Sequence, residues 1–157
     1  MKELSDFLKE ANKYGYASGN PGVKNEDGST TISYPPEGDI DGWRLVDHFY
    51  GGEPYAGQEV VFKDGKPYWT MVYYGSVKEG QDLSIVYSHL QKALQHPNFD
   101  LPVRGPEGFS KPGISYKNQW QGNLTRFSGH ETIDVDSIGN IIYEADYMGG
   151  LVDQVRE

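Results

Sequence analysis

The chain has no cysteine, few basic residues and no long apolar run, and each absence excludes a class of protein. Zero cysteines among 157 residues exclude disulfide bonds, thiolate nucleophiles and cysteine-ligated zinc. With 14 basic against 23 acidic residues, the formal charge of −9 disfavours direct binding to nucleic acid. No apolar run approaches membrane-spanning length, so no membrane contact is expected. Together with the lack of an apolar leader, the missing cysteines predict a cytoplasmic protein.

Aromatic side chains are what the chain has in excess. They make up 13% of its residues, with 12 tyrosines, while the 36% hydrophobic content suits one compact domain over residues 1–157. Trp69 and Tyr73 alternate onto one face of a predicted strand. Such a face is core by default, but many aromatic rings with polar tips also suit a ligand cleft or a partner surface.

An internal repeat predicts the architecture. Residues 47–75 are echoed by residues 118–149, with Asp47 aligned to Asn118. The shared order of aromatic residue, glycine, glutamate, β-branched residue, turn glycine and further aromatics is typical of a β-hairpin. The repeat therefore predicts two similar β-rich halves.

Two helices are predicted, one ahead of each copy. Apolar residues at helical spacing predict a helix over about residues 3–14. A second helix is predicted from an Asp82 cap to a point before Pro97. The predicted fold class is α+β, with a twisted, mostly antiparallel sheet built from two halves of about residues 1–78 and 79–157.

The segments between these elements are predicted to be irregular or to form turns. Residues 19–42 and 98–113 are rich in glycine, proline, asparagine and aspartate, which favours long connections. Asp64-Gly65 predicts a tight hairpin turn. In the second copy, Ser137-Ile138-Gly139 predicts a three-residue loop.

That loop sets the register of the second hairpin. It predicts that Glu131, Ile133 and Val135 lie opposite Ala145, Tyr143 and Ile141, so Glu131 points with the apolar set. For Glu59, the length of the Asp64-Gly65 turn decides the face, and only the repeat predicts that it points inward.

Three charged residues are candidates for a site. Glu59 and Glu131, if both buried, can serve as acid and base, or instead accept structural hydrogen bonds. Arg104 sits in a stiff Arg-Gly-Pro turn that can present a guanidinium to a carboxylate or phosphate, or form a structural bridge to an acid.

No cofactor and no metal are predicted. Residues 134–140 resemble the start of a calcium loop, but Ile138 and Ala145 stand where oxygen ligands are required. The four histidines form no His-Glu-x-x-His pattern, and the glycine pairs lack the context of a phosphate loop.

Two blocks of the chain carry a family resemblance. The first block runs from Asp47 through Tyr55-Ala56-Gly57-Gln58-Glu59 to Tyr73-Tyr74-Gly75. The second consists of Arg104-Gly105-Pro106 and residues 127–150. Together the two blocks resemble a bacterial family known as a domain of unknown function. Members of that family occur alone or behind an Xre-type helix-turn-helix. The resemblance implies a sensory or ligand-binding module. This chain has no helix-turn-helix of its own, which argues against a DNA-related role.

These observations predict a binding module rather than an enzyme. The partner is expected to be a small ligand or another protein, and the candidate site residues are Trp69, Tyr73, Arg104, Glu59 and Glu131. The cleft is predicted where the aromatic face of the first hairpin meets the segment carrying Arg104. Two alternatives stay open: a hydrolase that uses the pair of glutamates, and an interaction subunit that dimerises through exposed aromatic residues.

Overall fold

The computed structural model describes residues 1–136 and 139–153. Within them the chain forms two α-helices, one 3-10 helix and nine β-strands. In chain order these are α1 (Lys2–Tyr14), the 3-10 helix (Tyr16–Ser18), β1 (Val23–Lys24), β2 (Thr30–Tyr34), β3 (Trp43–Tyr50), β4 (Tyr55–Lys63), β5 (Lys66–Val77), α2 (Leu83–Leu94), β6 (Gly108–Lys111), β7 (Ile114–Asn123), β8 (Arg126–Val135) and β9 (Asn140–Leu151). The segment of residues 95–107, between α2 and β6, is called the Arg104 loop below.

All nine strands belong to one antiparallel sheet. Their order is β1-β2-β3-β4-β5-β9-β8-β7-β6. The β4–β5 and β8–β9 hairpins therefore lie side by side, and Tyr73 on β5 pairs with Tyr147 on β9. The predicted α+β class, with two helices and a mostly antiparallel sheet, is confirmed. The duplication of two halves stays a prediction.

Both predicted helices are present. The buried stripe of α1 consists of Leu4, Phe7, Leu8 and Ala11. Helix α2 is capped by Asp82, whose carboxylate accepts hydrogen bonds from the backbone N–H groups of the second and third residues that follow it.

Both helices cover the same face of the sheet. Helix α1 packs in a cluster that contains Tyr147, and α2 packs in one that contains Tyr143. Because alternate strand residues share a face, these two tyrosines of β9 lie on the same side. On the other face Val72, Tyr74 and Met148 are exposed.

The segments predicted to be irregular contain three short strands. β1 and β2 lie within residues 19–42, and β6 lies within residues 98–113. These strands are short and lie towards the edges of the sheet, and β2 is held by its pairing with β3. Their formation depends on a neighbouring strand more than on local propensity, which is why the composition favoured loops.

The first hairpin has the two-residue turn that Asp64-Gly65 predicted. Lys63 pairs with Lys66, and both turn residues have positive φ. A bulge follows Val61, and Glu59 lies opposite Met71 on the buried side. The inward orientation of Glu59 agrees with what the repeat predicted.

The register of the second hairpin is partly as predicted. Glu131 lies opposite Ala145 and Ile133 opposite Tyr143. The predicted pairing of Val135 with Ile141 is wrong, because a bulge after Ile133 shifts the ladder by one residue and pairs Ile141 with Asp134. The turn predicted at Ser137-Ile138-Gly139 involves residues 137 and 138, which lie outside the described residues.

Glycine is required at positions 57 and 129 because a tyrosine of the paired strand lies over each. A Cβ atom on Gly57 would lie 2.4 Å from the hydroxyl oxygen of Tyr73. A Cβ atom on Gly129 would lie 2.1 Å from Cζ of Tyr147. The rings reach across these positions, so the Tyr73 hydroxyl donates to Asp47 and the Tyr147 hydroxyl donates to Asn118.

Substituting Gly129 with alanine is therefore expected to destabilise the fold. The added methyl group displaces the Tyr147 ring, and overpacking of this kind costs about 1 to 3 kcal/mol. Gly52→Ala is the control, because no atom lies within 4 Å of the Cβ position at Gly52. Urea unfolding curves give both free energies, and equal losses in the two variants would show that the glycine at 129 has no packing role.

Candidate functional site

A cavity of about 190 Å³ lies on the helix-covered face of the sheet. It is enclosed by the end of α1 and the 3-10 helix, by strands β2 to β5, by α2 and by the Arg104 loop. Most of its walls are aliphatic or aromatic. Its polar end is formed by Asp47, Glu59, Tyr73 and Arg104, because Asp47 pairs with Glu59 across the strands and Tyr73 contacts both Asp47 and Arg104. Its lining residues are Ala11, Asn12, Gly15, Tyr16, Ala17, Ile32, Leu45, Asp47, Phe49, Gly51, Gly52, Tyr55, Glu59, Tyr73, Tyr87, Leu94, Val103 and Arg104.

Two carboxyl groups, those of Asp47 and Glu59, lie in this cavity. They are direct cross-strand neighbours on β3 and β4, and both side chains are buried, Glu59 with 9% of its surface exposed. Asp47 Oδ1 accepts a 2.5 Å hydrogen bond from the hydroxyl of Tyr73. Within the described part of the chain, the buried Oε2 atom of Glu59 has no hydrogen-bond partner. An unsatisfied buried carboxyl oxygen is rare and costly, which makes Glu59 a candidate to bind a polar group that enters the cavity.

Burial makes both carboxyl groups weak acids. It raises the pKa of Glu59 to about 8, and the charge of Asp47 adds to this effect while that of Arg104 opposes it. Burial also raises the pKa of Asp47 to about 6, against the opposing effects of the Tyr73 hydrogen bond and the Arg104 charge. Near neutral pH, Glu59 therefore holds a proton while Asp47 is ionised.

Glu131 is held in a separate, fully satisfied network beside the cavity. Its side chain has 0% exposure. Arg104 donates to it from Nε at 3.2 Å and from Nη2, and the hydroxyls of Tyr116 and Tyr143 donate at 2.6 and 2.8 Å. Burial opposes the charge of Arg104, but the carboxylate of Glu131, together with Tyr55 and Tyr143, raises the guanidinium pKa above its usual value. Arg104 and Glu131 thus form a buried ion pair.

The stiff turn at Arg104 is fixed by strand β7. The N–H of Gly105 donates to the Tyr116 hydroxyl at 3.2 Å, and the amide of Asn118 donates to the Gly105 carbonyl at 3.0 Å. Of the two roles that the sequence left open for Arg104, the structure shows the bridge to an acid. Arg104 also lines the cavity, with Cζ 5.8 Å from the centre of the Tyr73 ring.

The structure brings together three of the five predicted site residues. Glu59, Tyr73 and Arg104 line the cavity, whereas its described lining does not include Glu131 or Trp69. Glu131 lies behind Arg104, so the two glutamates do not face one shared space.

Trp69 is part of the core rather than a surface for stacking. It is fully buried, its indole N–H donates to the Leu124 carbonyl at 3.1 Å, and its ring stacks on Phe127. It shares a strand face with Tyr73, as predicted, but four residues of extended strand span about 13 Å. Sharing a face therefore did not place both rings at the cavity.

Asp47 is the functional candidate that the sequence analysis missed. The repeat contained a signal for it, because Asp47 carries a charge where the aligned position has the neutral Asn118. Tyr55 was missed as well. Its hydroxyl lies 2.6 Å from that of Tyr143 and so connects the cavity to the Glu131 network.

A second, shallower groove lies on the opposite face of the sheet. It includes the exposed side chains of Val72, Tyr74 and Met148, together with Trp120 and His130. The Nδ1 atom of His130 lies 2.7 Å from Oδ1 of Asp146. This groove is more open to solvent than the cavity is.

Within residues 1–136 and 139–153, no group of three or more histidine and acidic side chains is arranged to hold a metal ion. Neither helix in these residues has the length and apolar character needed to cross a membrane.

Comparison with protein-family models assigns most of the chain to a family. A family model described as a domain of unknown function, DUF5680, matches residues 47–152. The match includes Asp47, Glu59, Tyr73 and Arg104 and begins after α1 and β2, which also line the cavity. Searches of curated proteins and of solved structures found no match. Since the matched region spans more than half of the chain, the protein belongs to the DUF5680 family.

Proposed function

We propose that this protein is a binding module for a small molecule and that the cavity on the helix-covered face is its site. The observation that carries the proposal is the buried Oε2 atom of Glu59, which has no hydrogen-bond partner among the described residues and belongs to a side chain that lines the cavity. A carboxyl group with a purely structural role has its oxygens paired, as Glu131 does. A ligand with a suitable polar group would satisfy Glu59.

The dimensions and walls of the cavity support a small, flat ligand. An apolar cavity of about 150 Å³ holds benzene. The cavity here, at about 190 Å³, is large enough for one ring with a small substituent. Aromatic side chains from five different elements surround this space, and only a few charged groups lie among them, as is usual for small-molecule sites. These side chains are Tyr16, Phe49, Tyr55, Tyr73 and Tyr87.

The same proposal includes the location of the protein, its domain organisation and a sensory role. The absence of cysteine favours a cytoplasmic protein. One sheet that continues through all nine strands favours a single domain over residues 1–157. A sensory role, in which occupancy of the cavity is read by a partner, fits a module with an enclosed site and an exposed opposite face.

A fragment screen by thermal shift is expected to find ligands that bind in the cavity. A ligand that binds only the native state raises the melting temperature. In methyl NMR spectra, such hits should shift the signals of Ala11 and Ala17, which line the cavity, and leave that of Met148 on the opposite face unchanged. Hits that move only Met148 would contradict the proposal and favour a partner-binding or dimerising surface there.

Acid–base catalysis is the second candidate function. The specific observation in its favour is the pair of Asp47 and Glu59, whose pKa values of about 6 and about 8 leave one carboxyl group ionised and the other protonated near neutral pH. Glu131 is a weaker partner for Glu59, because it is bound to Arg104. Turnover of nitrophenyl glycosides or esters that disappears in Glu59→Gln would favour the hydrolase, and binding without turnover favours the module.

A further inference from the structure

We propose that the ligand of this cavity is a small organic cation that carries N–H donors, such as an amidinium, guanidinium or primary ammonium group on a flat apolar body. Glu59 and Asp47 would receive the cationic group. This inference rests on the proposed function, since it names the class of molecule that the cavity binds. It is argued from three features of the described residues.

The first feature is the contrast between the two hairpins. Glu59 and Glu131 each follow a glycine by two residues, and that glycine lies opposite a tyrosine in both hairpins. Glu131 receives the guanidinium of Arg104, whereas one carboxyl oxygen of Glu59 has no partner among the described residues. The chain thus shows which group this arrangement accepts. At Glu59 no described residue supplies such a group, so a ligand can supply it.

The second feature is the charge balance at the polar end of the cavity. Arg104 and Glu131 neutralise one another as a buried ion pair. The carboxylate of Asp47 has a hydrogen bond from Tyr73 but no ion-pair partner within the described residues. A buried charge is stabilised by an opposite charge, so a cation is complementary to Asp47, while an anion would meet two carboxyl groups.

The third feature is the aromatic lining next to these carboxyl groups. Cations bind favourably over the faces of aromatic rings, within about 6 Å of the ring centre. The chain already uses Tyr73 in this way, with Arg104 Cζ 5.8 Å from the centre of its ring. Phe49 and Tyr55 add further rings to the lining of the same cavity.

Binding of a cation should release the proton from Glu59. Burial holds the pKa of this carboxyl group at about 8, and a cation beside it favours the ionised form. The affinity for a cation should therefore rise as the pH increases towards 8, while the affinity for a neutral analogue should not.

The titratable and charged groups that share the cavity with Glu59 are Asp47 on β3, Tyr55 on β4, Tyr73 on β5, Tyr16 of the 3-10 helix, Tyr87 on α2 and Arg104.

Three probes of the same shape test the charge of the ligand. Benzamidinium, benzamide and benzoate are titrated into the whole protein by calorimetry at about pH 6.5 and about pH 8.5, on either side of the Glu59 pKa of about 8. Benzamidinium should bind at least about tenfold more tightly than benzamide at the higher pH, and benzoate should not bind. Methylguanidinium with its neutral analogue methylurea repeats the comparison with smaller probes.

Two variants show whether Glu59 is responsible. Glu59→Gln should weaken benzamidinium binding by about tenfold or more and abolish the release of protons on binding. Glu79→Gln makes the same change at an exposed glutamate and should leave the binding unchanged. Circular dichroism checks that both variants fold.

The outcomes separate this inference from the proposed function. Equal affinities for benzamidinium and benzamide, binding of benzoate, or failure of both cations to bind would overturn the cation assignment. So would benzamidinium binding that leaves the Ala11 and Ala17 methyl signals unchanged. In each of these cases the binding-module proposal still stands if any neutral or anionic fragment shifts those methyl signals. The binding-module proposal fails if no fragment shifts the methyl signals of Ala11 and Ala17.

Discussion

Replacing Glu131 with alanine is expected to lower the free energy of unfolding by about 3 to 5 kcal/mol, the usual cost of breaking a buried ion pair. The variant leaves the guanidinium of Arg104 as a buried charge without its partner. It also removes the acceptor for the hydroxyls of Tyr116 and Tyr143. The unpaired charge is the larger part of this cost, because unlike a hydroxyl it cannot be desolvated cheaply.

Denaturant unfolding followed by tryptophan fluorescence measures this loss. Glu144→Ala on β9 is the control, because the Glu144 side chain is 60% exposed. Replacing both Glu131 and Arg104 with methionine should recover much of the loss, since no buried charge is then left unpaired. A loss below about 1 kcal/mol for Glu131→Ala would mean that the pair is worth no more than an exposed salt bridge, and that the network is solvated.

The elements that could be predicted from the sequence are those whose pattern is local. The stripe of α1, the Asp82 cap of α2 and the Asp64-Gly65 turn each depend on residues close in the chain, and all three are present. Strands β1, β2 and β6 and the bulge after Ile133 were missed. Their geometry is set by a neighbouring strand, so no local pattern specifies it.

The candidate site could be predicted only where its features depend on residues that are close in the chain. The alternation along β8 was enough to place Glu131 in the interior, and the glycine and proline after Arg104 were enough to predict a stiff turn. Which carboxylate Arg104 meets depends on how the Arg104 loop packs against β7 and β8, which alternation cannot show. The role of Asp47 depends on its cross-strand position opposite Glu59, which becomes clear only once β3 and β4 are paired.

The pH dependence of stability is expected to change markedly in Glu59→Gln. In the folded protein the pKa of Glu59 is raised from 4.5 to about 8, chiefly by burial. Between these values the folded state holds a proton that the unfolded state has released, so the stability of the parent protein falls as the pH rises. The slope approaches about 1.4 kcal/mol per pH unit, which gives a fall of about 2 kcal/mol between about pH 6 and about pH 8.

Glutamine at position 59 has no proton to lose, so the variant should keep its stability over this range and exceed the parent at about pH 8. The pKa of Asp47 is raised to about 6, so its ionisation lowers the stability of both proteins at lower pH. The difference in the free energy of unfolding between the parent and Glu59→Gln therefore reports on Glu59. Urea unfolding at half-unit pH steps provides the measurement, with Glu79→Gln expected to follow the parent. If the parent and Glu59→Gln run parallel from about pH 6 to about pH 9, Glu59 is ionised and solvated in the folded state. The cavity would then lack the protonated carboxyl group on which its proposed chemistry depends.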